Sequence, residues 1–149
     1  MCPDVTPLST LIRDRRWWLA IAAGPVFWLV YWAWTPISAA TGSGVQPGQW
    51  LMLVLVYPVL EEAVFRGLLQ GMLFQPRLGP WKWHGITGAN LLASALFVLA
   101  HLPHQSPGWA LATFGPSLVF GYFRDRHDRL ASPVVLHVWY NLGFFSLFG

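Results

Sequence analysis

Charged side chains are scarce in this chain, with nine Lys or Arg and six Asp or Glu among 149 residues, against 55% apolar residues. A surface facing water on every side can hardly be built from that ratio, which excludes an ordinary soluble domain and makes lipid the main solvent. Cysteine is scarcer still. Cys2 is the single one, so there is neither an internal disulfide nor a CxxC metal or redox site. An HExxH zinc signature, an internal repeat and a low-complexity linker are also lacking, and no composition break marks a second domain.

What is present is a series of apolar stretches, at 17–40, 50–74, 86–102, 109–123 and 131–148, which approach the roughly 20 residues needed to cross the hydrocarbon of a bilayer. The reading is an all-α, polytopic membrane helical bundle of about five transmembrane helices. It forms one domain over residues 1–149 with a motif-bearing core at 50–149. The stretch 17–40 has the Arg-rich flank and small-residue end of a signal peptide, but its apolar region is too long for one. Gly and Pro punctuate the presumed loops, and some also fall inside spans: Gly24, Pro25, Pro36, Pro58, Gly115 and Pro116, with Gly67 and Gly71 as a small-xxx-small pair.

The cations fall in alternate connections. Arg13, Arg15, Arg16, Arg77, Lys82, Arg124, Arg126 and Arg129 lie in the N-terminal arm and in alternate loops, whereas 41–49, 103–108 and the C-terminus carry no Lys or Arg. The positive-inside rule then sets the N-terminus in the cytoplasm and the C-terminus outside. Trp17, Trp18, Trp81 and Trp83 would sit at the inner interface, and Trp34, Trp50 and Trp109 at the outer one. The basic balance points to anionic lipid headgroups at the inner face rather than to nucleic acid, because the cations border apolar segments and alternate with Asp14, Asp125 and Asp128.

Arg66 is the one cation left over, and it lies with Glu61 and Glu62 inside the second stretch, LMLVLVYPVLEEAVFRGLLQGMLF. A charge near the middle of a spanning helix costs about 2.5 to 3.5 kcal/mol even on insertion scales, so these three groups are expected to face a protein interior or a wet cavity. On a helix Glu62 and Arg66 share a face at i, i+4, while Glu61 is turned away by about 100°. Glu62 with Arg66 is a locally neutral unit, and Glu61 is then the acid outside that unit, suited to take a proton from water. The third stretch sets Asn90, Ser94, Phe97 and His101 along one stripe, and the fifth sets His137 and Asn141 one turn apart. Polar stripes on three helices point to a shared site. His84, His127 and His104 lie in presumed loops and are weaker candidates, with His104 the one placed to assist.

Three alternatives follow from these residues. Carboxylate, imidazoles and amide suit peptide hydrolysis by activated water; Glu61, His101 and His137 would also suit an open zinc site; and the same fold could bind a membrane peptide without cleaving it, as an immunity or scaffold protein does. Taken together, EEAVFR, FVLAH and HVWYN resemble the ordered EExxxR, FxxxH and HxxxN motifs of the CAAX prenyl endopeptidase and bacteriocin-processing family of glutamic intramembrane proteases. The resemblance implies an intramembrane endopeptidase without cofactor or metal, acting on a membrane-anchored peptide or protein. Glu61 would activate water, Glu62 would support it through Arg66, His101 would hold the water, and His137 with Asn141 would stabilise the oxyanion. Family members usually have more helices, so this chain resembles a minimal core, similar in size to short bacterial members associated with C-terminal sorting signals of the JDVT-CTERM sort. An integral protein of the bacterial inner membrane is implied, and nothing in the sequence marks a prenyl pocket. One tension accompanies the reading: straight spans would set His101 and His137 about 12 Å apart in depth. Segment 81–88 lying along the inner interface, a tilted third helix, or a deeper 124–130 loop would relieve it.

Overall fold

The computed structural model describes residues 8–34, 45–74 and 81–149. The described residues are overwhelmingly helical. In chain order they form α1 (Leu8–Arg13), α2 (Arg15–Trp34), α3 (Pro47–Leu51), the π-helical turn π1 (Met52–Val56), α4 (Tyr57–Glu62), a second π segment π2 (Ala63–Leu69) and α5 (Gln70–Leu73). A short antiparallel pair follows, β1 (Lys82–Trp83) with β2 (Ile86–Thr87). Then come α6 (Gly88–His101), α7 (Pro107–Ala112), α8 (Phe114–His127) and α9 (Ala131–Phe148). The chain divides into two compact units, one built on Glu61–Pro133 and the other on Pro7–Leu60 with Val134–Gly149.

In the first unit, a set of polar side chains is buried while several large apolar ones face outward. Glu62, Arg66, Thr87, Asn90, Ser94 and Ser117 are fully buried, whereas Val64, Leu68, Met72, Leu99 and Leu111 are exposed. Large apolar side chains turned outward around buried polar groups are what a lipid solvent selects. Helix α6 packs closely against α8. Ala89 and Ala93 supply the small surface on α6, and at Gly121 of α8 a Cβ would overlap the Asn90 amide. The approach lets Asn90 Nδ2 donate to Leu118 O at 3.0 Å, while Ser94 Oγ donates to Asn90 Oδ1 at 3.1 Å. The stripe Asn90, Ser94, Phe97 therefore faces protein, as its spacing predicts.

Helix α6 begins two residues later than the expected span because Ile86 and Thr87 are extended. His84 and Gly85 make the hairpin turn at φ of 50° and 93°, and a side chain at 85 would in addition meet the Tyr122 ring at 2.9 Å. Thr87 then caps α6, its hydroxyl accepting from Asn90 N–H at 3.1 Å. The fourth stretch also differs. It is split at Thr113 into α7 and α8, with Pro116 in the first turn of α8, where a missing N–H costs no helical bond. Helix α8 runs on through Arg124 and Asp125 to His127, so the expected 124–130 loop shrinks to a turn at Asp128, whose backbone is left-handed at φ 47°. His127 is buried rather than a loop residue, with Nδ1 at 2.9 Å from Ser132 Oγ. A Cβ at Gly67 would meet the Leu130 side chain at 3.7 Å and Glu62 O at 3.9 Å, both ordinary contacts, and Gly71 has open space beside it, so the small-xxx-small pair is not a close helix contact in this unit.

In the second unit α2 packs on α9. Asp14 starts α2 by accepting Arg16 N–H through Oδ1 at 3.0 Å, and Arg15–Trp34 then continues for 20 residues through Pro25. Trp139 Nε1 donates to Ile21 O at 2.9 Å and Tyr140 OH to Ala20 O at 2.7 Å. A Cβ at Gly143 would overlap the Trp28 ring, so this glycine sets the closeness of the pair. The outer side of α2 carries Leu19, Val26, Leu29, Val30, Trp32 and Trp34, all exposed. Among the described residues two helices are long and apolar enough to cross a membrane, Arg15–Trp34 and Ala131–Phe148, with Gly88–His101 apolar but shorter. The expected end of the first span at 35–40 lies outside the described residues.

Candidate active site

Arg66 is held from two sides within the first unit. Its Nε lies 3.3 Å from Glu62 Oε2, both side chains fully buried, so the expected i, i+4 pair is formed. From the other side Nη2 donates to Ser117 O at 2.9 Å and to Ser117 Oγ at 2.5 Å. The guanidinium carbon also stands 5.6 Å from the centroid of the Phe97 ring. Carboxylate, the Ser117 acceptors and an aromatic ring together replace part of the water that a buried guanidinium gives up, while Nε and Nη1 are buried without a hydrogen-bond partner among the described residues. Glu61, the preceding residue, is half-buried.

The pair sits where the helix is irregular. Arg66 belongs to π2, and the N–H that closes this segment, Gln70 N, bonds Phe65 O five residues back rather than four. Wide turns of this kind are rare and occur mostly at functional positions. One turn on, Gln70 repeats the grip of Arg66. Its Nε2 donates to Gly121 O at 3.0 Å and to Asp125 Oδ1 at 2.7 Å, while Thr87 Oγ1 donates to Asp125 Oδ2 at 2.8 Å. Residues 117, 121 and 125 thus form one face of α8, gripping 66 and 70 on the neighbouring helix.

His101 closes α6 at the end of the stripe. Its Nδ1 lies 2.8 Å from Phe97 O, and because a carbonyl only accepts, Nδ1 carries the hydrogen. In the neutral ring Nε2 then presents a lone pair, ready to accept from water or to hold a proton. The ring stacks at 4.3 Å on Phe97, which in turn meets Phe65 edge-on at 5.0 Å, so Phe97 connects the imidazole with Arg66.

His137 and Asn141 belong to the second unit. His137 is buried, and Asn141 is partly buried with Nδ2 donating to Leu53 O at 2.8 Å. Of the six expected residues, then, Glu62 and Arg66 touch, His101 reaches Arg66 through Phe97, Glu61 is half-buried beside them in sequence, and the remaining two lie on α9. Among the described residues no three His, Cys, Asp or Glu side chains stand together as a metal-ligand set. His104 and His84 are exposed.

Sequence reasoning misses Ser117, Gln70, Asp125 and Thr87. Asp125 looks like one more charge in a basic loop, and the signal that places it elsewhere is the step of four from Ser117 through Gly121 to Asp125.

The family model described as type II CAAX prenyl endopeptidase Rce1-like matches residues 42–143, which contain all six candidate residues. No curated protein and no solved structure matches the chain. The match extends over more than half of the chain and takes in all three motifs, so the chain belongs to the type II CAAX prenyl endopeptidase Rce1-like family, whose members are membrane-embedded proteases.

Proposed function

We propose that the protein is a glutamic intramembrane endopeptidase that hydrolyses a peptide bond of a membrane-anchored peptide or protein. The single observation that carries the reading is the buried Glu62–Arg66 pair, because it sets a charge-compensated carboxylate directly beside the half-buried Glu61. Glu61 removes a proton from water as the oxygen attacks the scissile carbonyl carbon, and Nε2 of His101 accepts a hydrogen bond from the second hydrogen, which stays on that oxygen. The carbonyl oxygen becomes an oxyanion and takes hydrogen bonds from His137 and the Asn141 amide. The proton held by Glu61 then passes to the leaving nitrogen as the C–N bond breaks, which restores the carboxylate. Arg66 holds Glu62 in position, and Ser117 and Phe97 keep Arg66 in place.

About five spans, with the N-terminus inside and anionic headgroups against the inner cations, fit the apolar stretches and the charge asymmetry. Residence in a bacterial inner membrane and a substrate bearing a C-terminal sorting signal fit the small size of the chain.

The test is cleavage of a membrane-anchored reporter peptide by purified wild type and Glu61→Gln, each with and without chelator. Cleavage that survives chelator and vanishes in Glu61→Gln is expected. Equal cleavage by both proteins would remove Glu61 as the base; loss of wild-type cleavage on chelation would favour the zinc site; binding without cleavage would favour a peptide-binding scaffold.

A further inference from the structure

Two prolines inside helices of the second unit each vacate a backbone carbonyl, and in both cases a side chain of α9 fills it. Pro25 has no N–H to give to Ile21 O, four residues back, and Trp139 Nε1 donates to that oxygen at 2.9 Å. Before Pro58 the helix runs in the wider register, with Tyr57 N–H bonded to Met52 O, five residues back. The next bond in that register would join residue 58 to Leu53 O, and Pro58 has no hydrogen for it. Asn141 Nδ2 supplies the missing bond at 2.8 Å. In lipid an orphaned carbonyl must be met from within the protein, so each such oxygen is a strong and directional anchor.

We propose that Pro58 is a positioning residue for Asn141, and that Pro25 does the same for Trp139, so that the HVWYN segment is seated on two carbonyls the prolines set free. The carbonyl can only accept, which fixes Nδ2, and not Oδ1, toward Leu53. One amide hydrogen is thereby consumed, and the second is held in a defined direction. The inference rests on the reading of Asn141 as an oxyanion donor and supplies what orients it. A pair of hydrogens on one nitrogen serves both tasks: the first locks the rotamer and the second meets developing charge.

The experiment is a double-mutant cycle on the full-length protein in detergent micelles, with kcat, KM and Tm measured on Pro58→Ala, Asn141→Ala and the combined variant. Pro58→Ala introduces a backbone N–H that competes for Leu53 O and releases the amide. It is expected to lower kcat by about 10- to 100-fold at unchanged KM, with Tm held or raised, since a misplaced group costs rate rather than folding. Asn141→Ala is expected to lower Tm in the wild-type background and not in the Pro58→Ala background, and the combined variant should lose no more kcat than Asn141→Ala alone. Full kcat in Pro58→Ala, or an equal Tm loss from Asn141→Ala in both backgrounds, overturns the proposal. Should Pro58→Ala fail to fold, Pro58→Gly restores the same N–H. The matching cycle of Pro25→Ala with Trp139→Phe should show the same coupling in Tm, and additive losses there would overturn the second half. Full activity in Asn141→Ala would instead overturn the donor role of Asn141, while the Tm coupling still decides the seat.

Discussion

Replacing Arg66 by Met tests the centre of the site, because Met keeps much of the length and removes the charge. In the native structure the guanidinium offsets Glu62 at 3.3 Å, with both side chains excluded from solvent. Its loss strands a carboxylate away from water and also leaves Ser117 O and Oγ without the Nη2 donor that reaches them at 2.9 and 2.5 Å. Breaking a buried pair from one side costs about 3 to 5 kcal/mol. At about 2 to 4 °C per kcal/mol for a chain of this length, Tm should fall by on the order of 6 to 20 °C. Thermal denaturation in detergent micelles reads that loss directly. The companion variant, Arg66→Met with Glu62→Leu, removes both charges and should recover most of the stability while remaining without peptidase activity. An unchanged Tm in Arg66→Met, or a double variant no more stable than the single one, would refute the argument that the pair is buried and mutually dependent.

Ser117→Ala removes the closest acceptor of Arg66 but leaves the backbone carbonyl, so a loss near the lower end of a charged hydrogen bond, about 1.5 kcal/mol, is expected in Tm-derived stability. An additive loss with Arg66→Met would disprove the contact. Gly121→Ala should cost about 1 to 3 kcal/mol by driving a methyl into the Asn90 amide, and Gly121→Ala with Asn90→Ala should relieve it. His101→Ala should lower kcat by about 10² to 10⁴ with little change in Tm, and a wild-type rate in that variant would remove the imidazole from the reaction.

Much of the site is legible in the chain alone. Glu61 and Glu62 are its only glutamates, and they fall with Arg66 inside an apolar run, where the cost of burial itself marks them. The i, i+4 pair and the stripe of Asn90, Ser94 and Phe97 appear in the structure as the helical period dictates, and Ala131–Phe148 has the bounds its apolar pattern predicts. The connections are less legible. The hairpin at Lys82–Thr87 depends on backbone at positive φ in His84 and Gly85, which apolar periodicity does not report, and α8 absorbs Arg124 and Asp125 because Asp125 finds Gln70 and Thr87.

Hydrophobicity and a period of 3.6 residues are properties of neighbouring positions, so the amino-acid order is enough to set the solvent, the helical class, the three motifs and the face each motif residue occupies. What those faces meet is a matter of packing. Ser117 lies 51 residues from Arg66, and Asn141 lies 88 residues from Leu53, so neither contact leaves a local trace. A proline announces in the sequence that a donor is missing; which distant side chain replaces it is settled when the helices pack, since the orphaned oxygen must be satisfied by whatever polar group arrives beside it.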